Sequence, residues 1–314
     1  MTPPVCLIVN PLAGGGRTGR MLEQVQWELT RLGLGHRVAP TQDLPHARAL
    51  ARAAASTGEL VVAFGGDGLI GAVADALRGT DGVMGVLPGG RGNDFIRALG
   101  IPLDPVAACS VLSSGQPRAL DLGEVDGHGF IGIASCGFDS DANRIANQAR
   151  LIHGRLVYAY GALRALVHWH AATFTIVIDD GRPRTVNGYT IAAANSRSYG
   201  GGMQLAPAAD LDDGQLDVVI IHELSRARFL TLMPTVFTGT HVNQPVVEVV
   251  RARTIEIAAS RPFQVYADGD PIAELPARIS VLPGAMRVMV PAAAPEPAPW
   301  NAASAPASTT PDRR

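Results

Sequence analysis

Three times within the first hundred residues, a short apolar run breaks into a glycine-rich loop and then into helical spacing. Val5-Cys-Leu-Ile-Val9 runs into Asn10-Pro-Leu-Ala-Gly-Gly-Gly-Arg-Thr-Gly19. Leu60-Val-Val-Ala-Phe64 runs into Gly65-Gly66-Asp67-Gly68, and the apolar run at 83–87 into Pro88-Gly-Gly-Arg-Gly-Asn-Asp94. Buried strand, tight turn and helix, repeated in series, imply a parallel sheet covered by helices on both faces. Ligands of such sheets sit beyond the carboxyl ends of the strands, where helix N-termini present free N–H groups. The pattern constrains the fold and, with it, the place to look for chemistry.

Helical spacing occupies 18–32, 45–55, 69–77 and 95–99, with a further strand at 36–39. Within 69–77, Leu69, Ile70, Val73, Ala74 and Leu77 fall on one helical face. Past residue 121 the texture changes. Strand-like runs follow at 130–135, 174–178, 189–194, 216–221, 254–258, 263–266, 278–282 and 286–290, most of them divided by Asp/Gly/Pro turns. Helical interruptions are expected at 156–172 and 225–235. The predicted architecture is a Rossmann-like α/β domain over 1–122 and a C-terminal β-sandwich domain over 123–291. An Ala/Pro-rich tail over 292–314 carries too little apolar content to repay its ordering entropy, so disorder is expected there.

Composition closes off several function classes. The formal net charge of -2, without a basic run before residue 291, gives no field for a nucleic-acid polyanion. No stretch approaches the ~20 apolar residues that span a bilayer. The first ten residues lack the features of a signal peptide, so a cytoplasmic setting is the expectation. Cys6, Cys109 and Cys136 stand apart and read as reduced thiols. All 26 basic residues are arginine, and the chain has no lysine. A P-loop needs a lysine on the β- and γ-phosphates, and a protein kinase needs one on its third strand. Any nucleotide must instead be held by backbone amides, arginines and a metal.

Each loop admits a plainer reading beside the chemical one. Gly14, Gly16 and Gly19 satisfy a G-x-G-x-x-G spacing, but a dinucleotide site wants an acid ending the second strand, where Pro40-Thr41-Gln42 stands. A simple strand–turn–helix connection is equally open. Gly65-Gly66-Asp67-Gly68 sets one carboxylate among glycines whose amides can approach phosphate, an arrangement that calls for a bridging Mg²⁺. The alternative is Asp67 as a helix N-cap. In the third loop the glycines and Arg91 suit an anion, while Asn93 or Asp94 could merely cap the helix at Phe95.

These loops, in this order, together with the 205–214 stretch (Leu-Ala-Pro to Asp-Asp-Gly) and Asp268-Gly269-Asp270, resemble the diacylglycerol kinase catalytic family over about 1–291. The resemblance implies an ATP- and Mg²⁺-dependent lipid kinase, with diacylglycerol giving phosphatidate as the family default. It implies nucleotide contacts at Asn10, Thr41, Gly65, Gly66, Asp67, Gly68, Leu69, Ile70, Gly71, Gly90 and Arg91. It implies a structural metal loop over 210–215, with a carboxylate from Asp213 and backbone carbonyls from Asp210 and Gln215, where a plain Asp-Gly hairpin turn is the alternative. It places Asp94 and Asp121 in an aspartate–water–metal network behind Asp67. Asp270 then accepts the hydroxyl proton, with Asp67 organising the catalytic metal; an ordinary β-turn at 268–270 is the plainer reading. The implied partner is a membrane lipid met by transient peripheral contact at the inner membrane surface; a homodimer is admitted. The chain departs from the family where Leu69 replaces a usual threonine, Gly71-Ala72 a common Asn-Glu, Arg91 a usual threonine, and Asp270 a more frequent glutamate. Two rivals stay open: an NAD or other small-metabolite kinase on the same core, and a catalytically silent nucleotide or lipid sensor.

Overall fold

The computed structural model describes residues 3–138, 140–142, 145, 164, 166, 169 and 171–292. Strands β1 (Val5–Val9), β2 (His36–Pro40), β3 (Leu60–Gly65) and β4 (Val83–Pro88) lie parallel in the order β2-β1-β3-β4. β1 and β3 are buried at every position, as strands covered on both faces must be. Around them run α1 (Ala13–Arg31), α2 (Leu44–Ser56), α3 (Asp67–Leu77), α4 (Asp94–Ala98) and α5 (Pro105–Ser114). Gly14, Gly15 and Gly16 at the start of α1 all take positive φ, so regular helix begins only after them. Asp43 caps α2 by accepting the His46 N–H, and Asp104 caps α5 by accepting that of Ala107. The strand order reverses between β1 and β3, and the crevice at such a point is where an open α/β sheet binds its ligand.

The second half is β-rich and mostly antiparallel. It contains β5 (Gln116–Val125), β6 (His128–Phe130), β7 (Ile133–Gly137), β8 (Ala172–Ile178), β9 (Arg184–Ala194) and β10 (Leu216–His222). After α6 (Arg226–Val236) come β11 (Val247–Ala252), β12 (Thr254–Ala259), β13 (Gln264–Ala267), β14 (Asp270–Glu274) and β15 (Ala277–Val290). The expected α/β domain with a β-sandwich-like partner is what the chain forms. A second core gathers Phe138, Trp169, Tyr189 and Phe229, with ring centroids 4.5 Å apart for Tyr189 and Phe229.

Two strand expectations change. The runs at 278–282 and 286–290 are one strand, β15, whose register against β5 shifts between Leu282 and Met286. Its first half pairs β12, and its second half pairs β4 in parallel, so Met286, Val288 and Val290 join the first core. The run at 130–135 is two strands, because the Ile131 and Gly132 amides turn to a carboxylate more than a hundred residues away. The helix expected at 156–172 and the tail fall largely outside the described residues.

Candidate active site

The three glycine loops meet each other before they meet anything else. Gly89 donates its N–H to the Gly65 carbonyl at 2.8 Å. A Cβ on Gly90 would lie 2.6 Å from the Gly66 Cα, and one on Gly14 would lie 2.5 Å from the Gly89 oxygen. Glycine is therefore required at 14 and 90 by loop-on-loop packing, a demand separate from phosphate approach, and a Cβ on Gly66 would be tight at 3.2 Å from the Gly90 Cα. Gly66 is the N-cap of α3, without a side-chain cap bond, and Asp67 is its first residue.

Asp67 does not cap its own helix. Its Oδ1 accepts the Phe95 N–H at 3.3 Å, at the start of α4 across the crevice. Asn93, left-handed at φ 52°, folds its side chain back to accept the Gly90 N–H at 2.9 Å. That bond aims α4 at Asp67. Asp94 opens α4, and its Oδ2 accepts the Gly201 N–H from the second domain at 2.7 Å. A Cβ on Gly92 would lie 3.0 Å from the Asp94 Oδ2 and 3.2 Å from the Asp67 Oδ2, so both carboxylates converge beneath that glycine. Burial, then the neighbouring Asp94 charge, push Asp67 above the usual carboxylate range.

A cleft of about 470 Å³ opens over this pair. Its first-domain wall holds Gly14, Arg17, Asp67, Gly90, Arg91 and Asp94. From the second domain come Ile131, Ile133, Ser135, Tyr199, Met203, Tyr266 and the turn at Asp268 and Gly269. Asp268 accepts three amides, from Ile131 at 2.8 Å, Gly132 at 2.9 Å and Ile133 at 3.2 Å, while burial pushes it up to about 7. Asp270, at the start of β14, lies against α3: a Cβ on Gly68 would be 3.8 Å from its Oδ2. Burial raises its affinity for a proton and the Arg48 charge lowers it again.

Several expected site residues are placed elsewhere. Leu69 and Ile70 point into the first core, and their amides are spent on the Gly66 carbonyl, so they offer a nucleotide no group. Gly71 lies under Asp268, not on the cleft wall. Asn10 accepts the Leu12 N–H and Thr41 bonds Asp43; neither lines the cleft. Asp121 is separated from Asp94: its two oxygens accept the Gly214 and Gly284 N–H groups, at 2.7 and 2.8 Å, which closes the turn after Leu211. Asp213 accepts the Gln215 N–H and pairs with Arg251, and Asp210 lies 3.9 Å from Arg118. The 210–215 loop as folded thus has arginines beside its carboxylates, Arg251 on Asp213 and Arg118 near Asp210.

Asp67 and Asp94 do fit a hard cation. Among the described residues no group of three or more His, Cys, Asp or Glu is arranged around a metal. Two converging carboxylates are nonetheless the kind of set Mg²⁺ uses when water and substrate phosphates complete its shell. Sequence reasoning missed the loop Ser198-Tyr-Gly-Gly-Gly-Met203, although three consecutive glycines, all at positive φ, were a legible signal.

The chain matches two family descriptions: the diacylglycerol kinase catalytic domain over residues 4–125, and the YegS C-terminal NAD kinase beta sandwich-like domain over 132–290. It is 37% identical to a diacylglycerol kinase of Mycobacterium tuberculosis over 295 residues, covering 91% of this chain and 95% of that protein. A probable lipid kinase YegS-like of Pseudomonas aeruginosa is 34% identical over 238 residues, covering 75% of this chain and 78% of the relative. The crystal structure of a putative diacylglycerol kinase from Bacillus anthracis superposes with a TM-score of 0.76 at 22% identity, covering 91% of this chain and 96% of that one.

Proposed function

This chain belongs to the diacylglycerol kinase family, and we propose that it transfers the γ-phosphoryl group of ATP to the primary hydroxyl of a membrane lipid, diacylglycerol giving phosphatidate being the first substrate to test. The observation that carries this reading is the unequal charge of the two cleft walls. Arg17 and Arg91 both belong to the first-domain wall, beside the glycine loops. Among the described residues, the second-domain wall supplies Ile131, Ile133, Tyr199, Met203 and Tyr266, and no arginine or histidine. An acceptor carrying a diphosphate, as NAD does, would face the Asp268 carboxylate there without a counter-charge. A neutral hydroxyl on an acyl-chain body suits that wall.

The glycine-loop amides and the Arg17 and Arg91 guanidinium groups hold the phosphates. Asp67 and Asp94 would hold Mg²⁺, which when bound neutralises charge on the phosphates. Asp270 receives the hydroxyl proton. A carboxylate suffices for this because the loose transition state of phosphoryl transfer asks for alignment and charge stabilisation more than for prior deprotonation. No helix among the described residues is long and apolar enough to cross a membrane.

A specific observation favours a second reading. Leu69 packs its side chain on Gly65 and Gly71 has none, so α3 lacks polar groups at both positions. A sensor that binds nucleotide without turnover is consistent with that loss. Radiolabelled ATP offered with diacylglycerol vesicles, with NAD alone, and with neither, separates these readings. Vesicle-dependent label in phosphatidate is the expected result. Label in NAD alone, or nucleotide binding without transfer to any acceptor, overturns the lipid kinase reading.

A further inference from the structure

One face of α3 carries the second domain. Residues 68, 71 and 75 advance by three and four positions, an arc of roughly 60° on a helix of 3.6 residues per turn, and Arg78, the C-cap of α3, follows at the next step of three. The first two are glycines. Gly68 faces Asp270, and a Cβ on Gly71 would stand 3.5 Å from the Asp268 Oδ2 and 3.9 Å from the Ile131 Cγ1. The proton-accepting turn therefore rests on bare helix.

The other two positions are charged, and they hold the adjacent hairpin. Asp75 Oδ1 accepts the Gly129 N–H at 3.1 Å, and its Oδ2 accepts Nε of Arg48, from α2, at 3.4 Å. Arg78 pairs with Glu124 on β5 and donates to the Gly127 carbonyl at 3.1 Å. An exposed ion pair contributes about 0–1 kcal/mol. Asp75 differs from such a pair: its side chain is 12% exposed and takes a backbone amide as well as two guanidinium groups. From Gly129 the chain runs directly to Ile131, Gly132 and Ile133, whose amides all donate to Asp268, two residues before Asp270. The contacts are continuous from Asp75 to the catalytic turn.

We propose that Asp75 is a positioning residue for phosphoryl transfer, fixing the 128–133 segment on α3 and, through the Asp268 amide bonds, setting where Asp270, next in the chain to the cleft-lining Gly269, stands against α3. The proposal rests on the lipid kinase reading for its chemistry, while the mechanical linkage stands apart from it. Arg48 is part of the device, since it is held by Asp75 and its charge favours the ionised form of Asp270. Asp67 and Asp268 are the other titratable groups facing this turn, and Asp67 raises the proton affinity of Asp268. Neither alters the direction of the Arg48 effect.

The test compares the full chain with Asp75→Ala and Asp75→Asn. Asparagine keeps an oxygen for the Gly129 amide and loses the charge; alanine loses both. Hydrogen exchange is read first, because it needs no substrate. Faster exchange confined to 129–133 and 266–270 in Asp75→Ala, with partial recovery in Asp75→Asn, is expected. Unchanged exchange, or loosening spread over the whole first domain, overturns the linkage. In turnover assays with ATP and diacylglycerol vesicles, kcat should fall about tenfold to a hundredfold in Asp75→Ala, the size of effect that misplacement of a reacting group produces. KM for ATP should stay within twofold. Wild-type kcat, or a rise in KM for ATP with kcat unchanged, overturns the positioning role. A wild-type protein inert toward every lipid removes the lipid kinase reading and leaves the exchange result to decide the linkage.

Discussion

Gly90→Ala isolates what the glycine loops are for. The φ of Gly90 is not in the left-handed region, so alanine meets no backbone strain of its own there. It meets the neighbouring loop. The added carbon would lie 2.6 Å from the Gly66 Cα and 3.0 Å from the Asn93 Oδ1. The first of these is backbone and cannot swing aside. Overpacking of this kind costs about 1–3 kcal/mol. The smaller unfolded-state entropy of alanine returns only ~0.4–1 kcal/mol, so the clash prevails. At about 2–4 °C per kcal/mol for a domain of 150–250 residues, the unfolding temperature should drop by a few degrees. Relief by separation of the loops would also move Gly66 and Asp67, so ATP should bind more weakly. Gly35→Ala is the matched control: nothing lies within 4 Å of its added carbon and its φ is not left-handed, so stability should hold or rise slightly. Thermal unfolding with and without nucleotide decides the matter. Gly90→Ala with the stability and ATP affinity of the control would show that packing imposes no glycine there, and the loop-on-loop argument would fail.

Asp67→Asn should remove turnover while the unfolding temperature stays within a few degrees of wild type; retained activity would refute the metal-organising role. Arg91→Ala should raise the ATP requirement more than the lipid requirement, and the reverse pattern in steady-state kinetics would reassign Arg91 to the acceptor. Asp270→Asn should cost on the order of a hundredfold in turnover, a usual magnitude for a positioned base, while Asp270→Glu keeps substantial activity. Because partial desolvation raises the Asp270 carboxylate, turnover that needs it ionised should fall as pH drops through a value above that of a free aspartate, about 3.9; an acid limb below that value would contradict the assignment.

The α/β half was legible because its signals are local. Strand, turn and helix follow one another within about thirty residues, and the five apolar positions named within 69–77 are all buried in α3, where Gly71, Ala72 and Ala76 are buried beside them. The helix α5 was not among the expectations, although Asp104-Pro105 carries a plain helix start. The second half hides its causes at long range. Nothing between 128 and 135 announces a break at Ile131 and Gly132, because Asp268 imposes it. The single strand β15 is likewise held together by β5, which pairs on both sides of its irregularity. The arginine beside the 210–215 loop was hidden for a similar reason. Arg251 comes from β11, and spacing within the loop carries no trace of it. Gly-Gly-Asp-Gly identified Asp67 but not its partner, since Asp67 reaches the next loop's helix and leaves its own uncapped.

Asp268 and Asp270 look interchangeable in sequence, and the fold gives them different work. Asp268 sits at φ 52° with both oxygens accepting, and all three of its bonds come from backbone N–H groups on one short segment. A proton taken from a substrate would set an O–H against those donors, and hydrogen bonds to a charged group are each worth about 1.5–3 kcal/mol. Burial favours such a proton and outweighs the amides that oppose it, so what the three bonds fix is the carboxylate's place and not its charge. Asp268 is thereby committed to holding the wall of the cleft. Gly269, at φ 94°, turns the chain with open space around it, and Asp270 follows as an exposed residue at the start of an edge strand. Its carboxylate lies over the first turn of α3, one residue from Asp67, within the field of an arginine. A group that must give up a proton after each turnover needs that access to solvent, and of the two aspartates Asp270 has it.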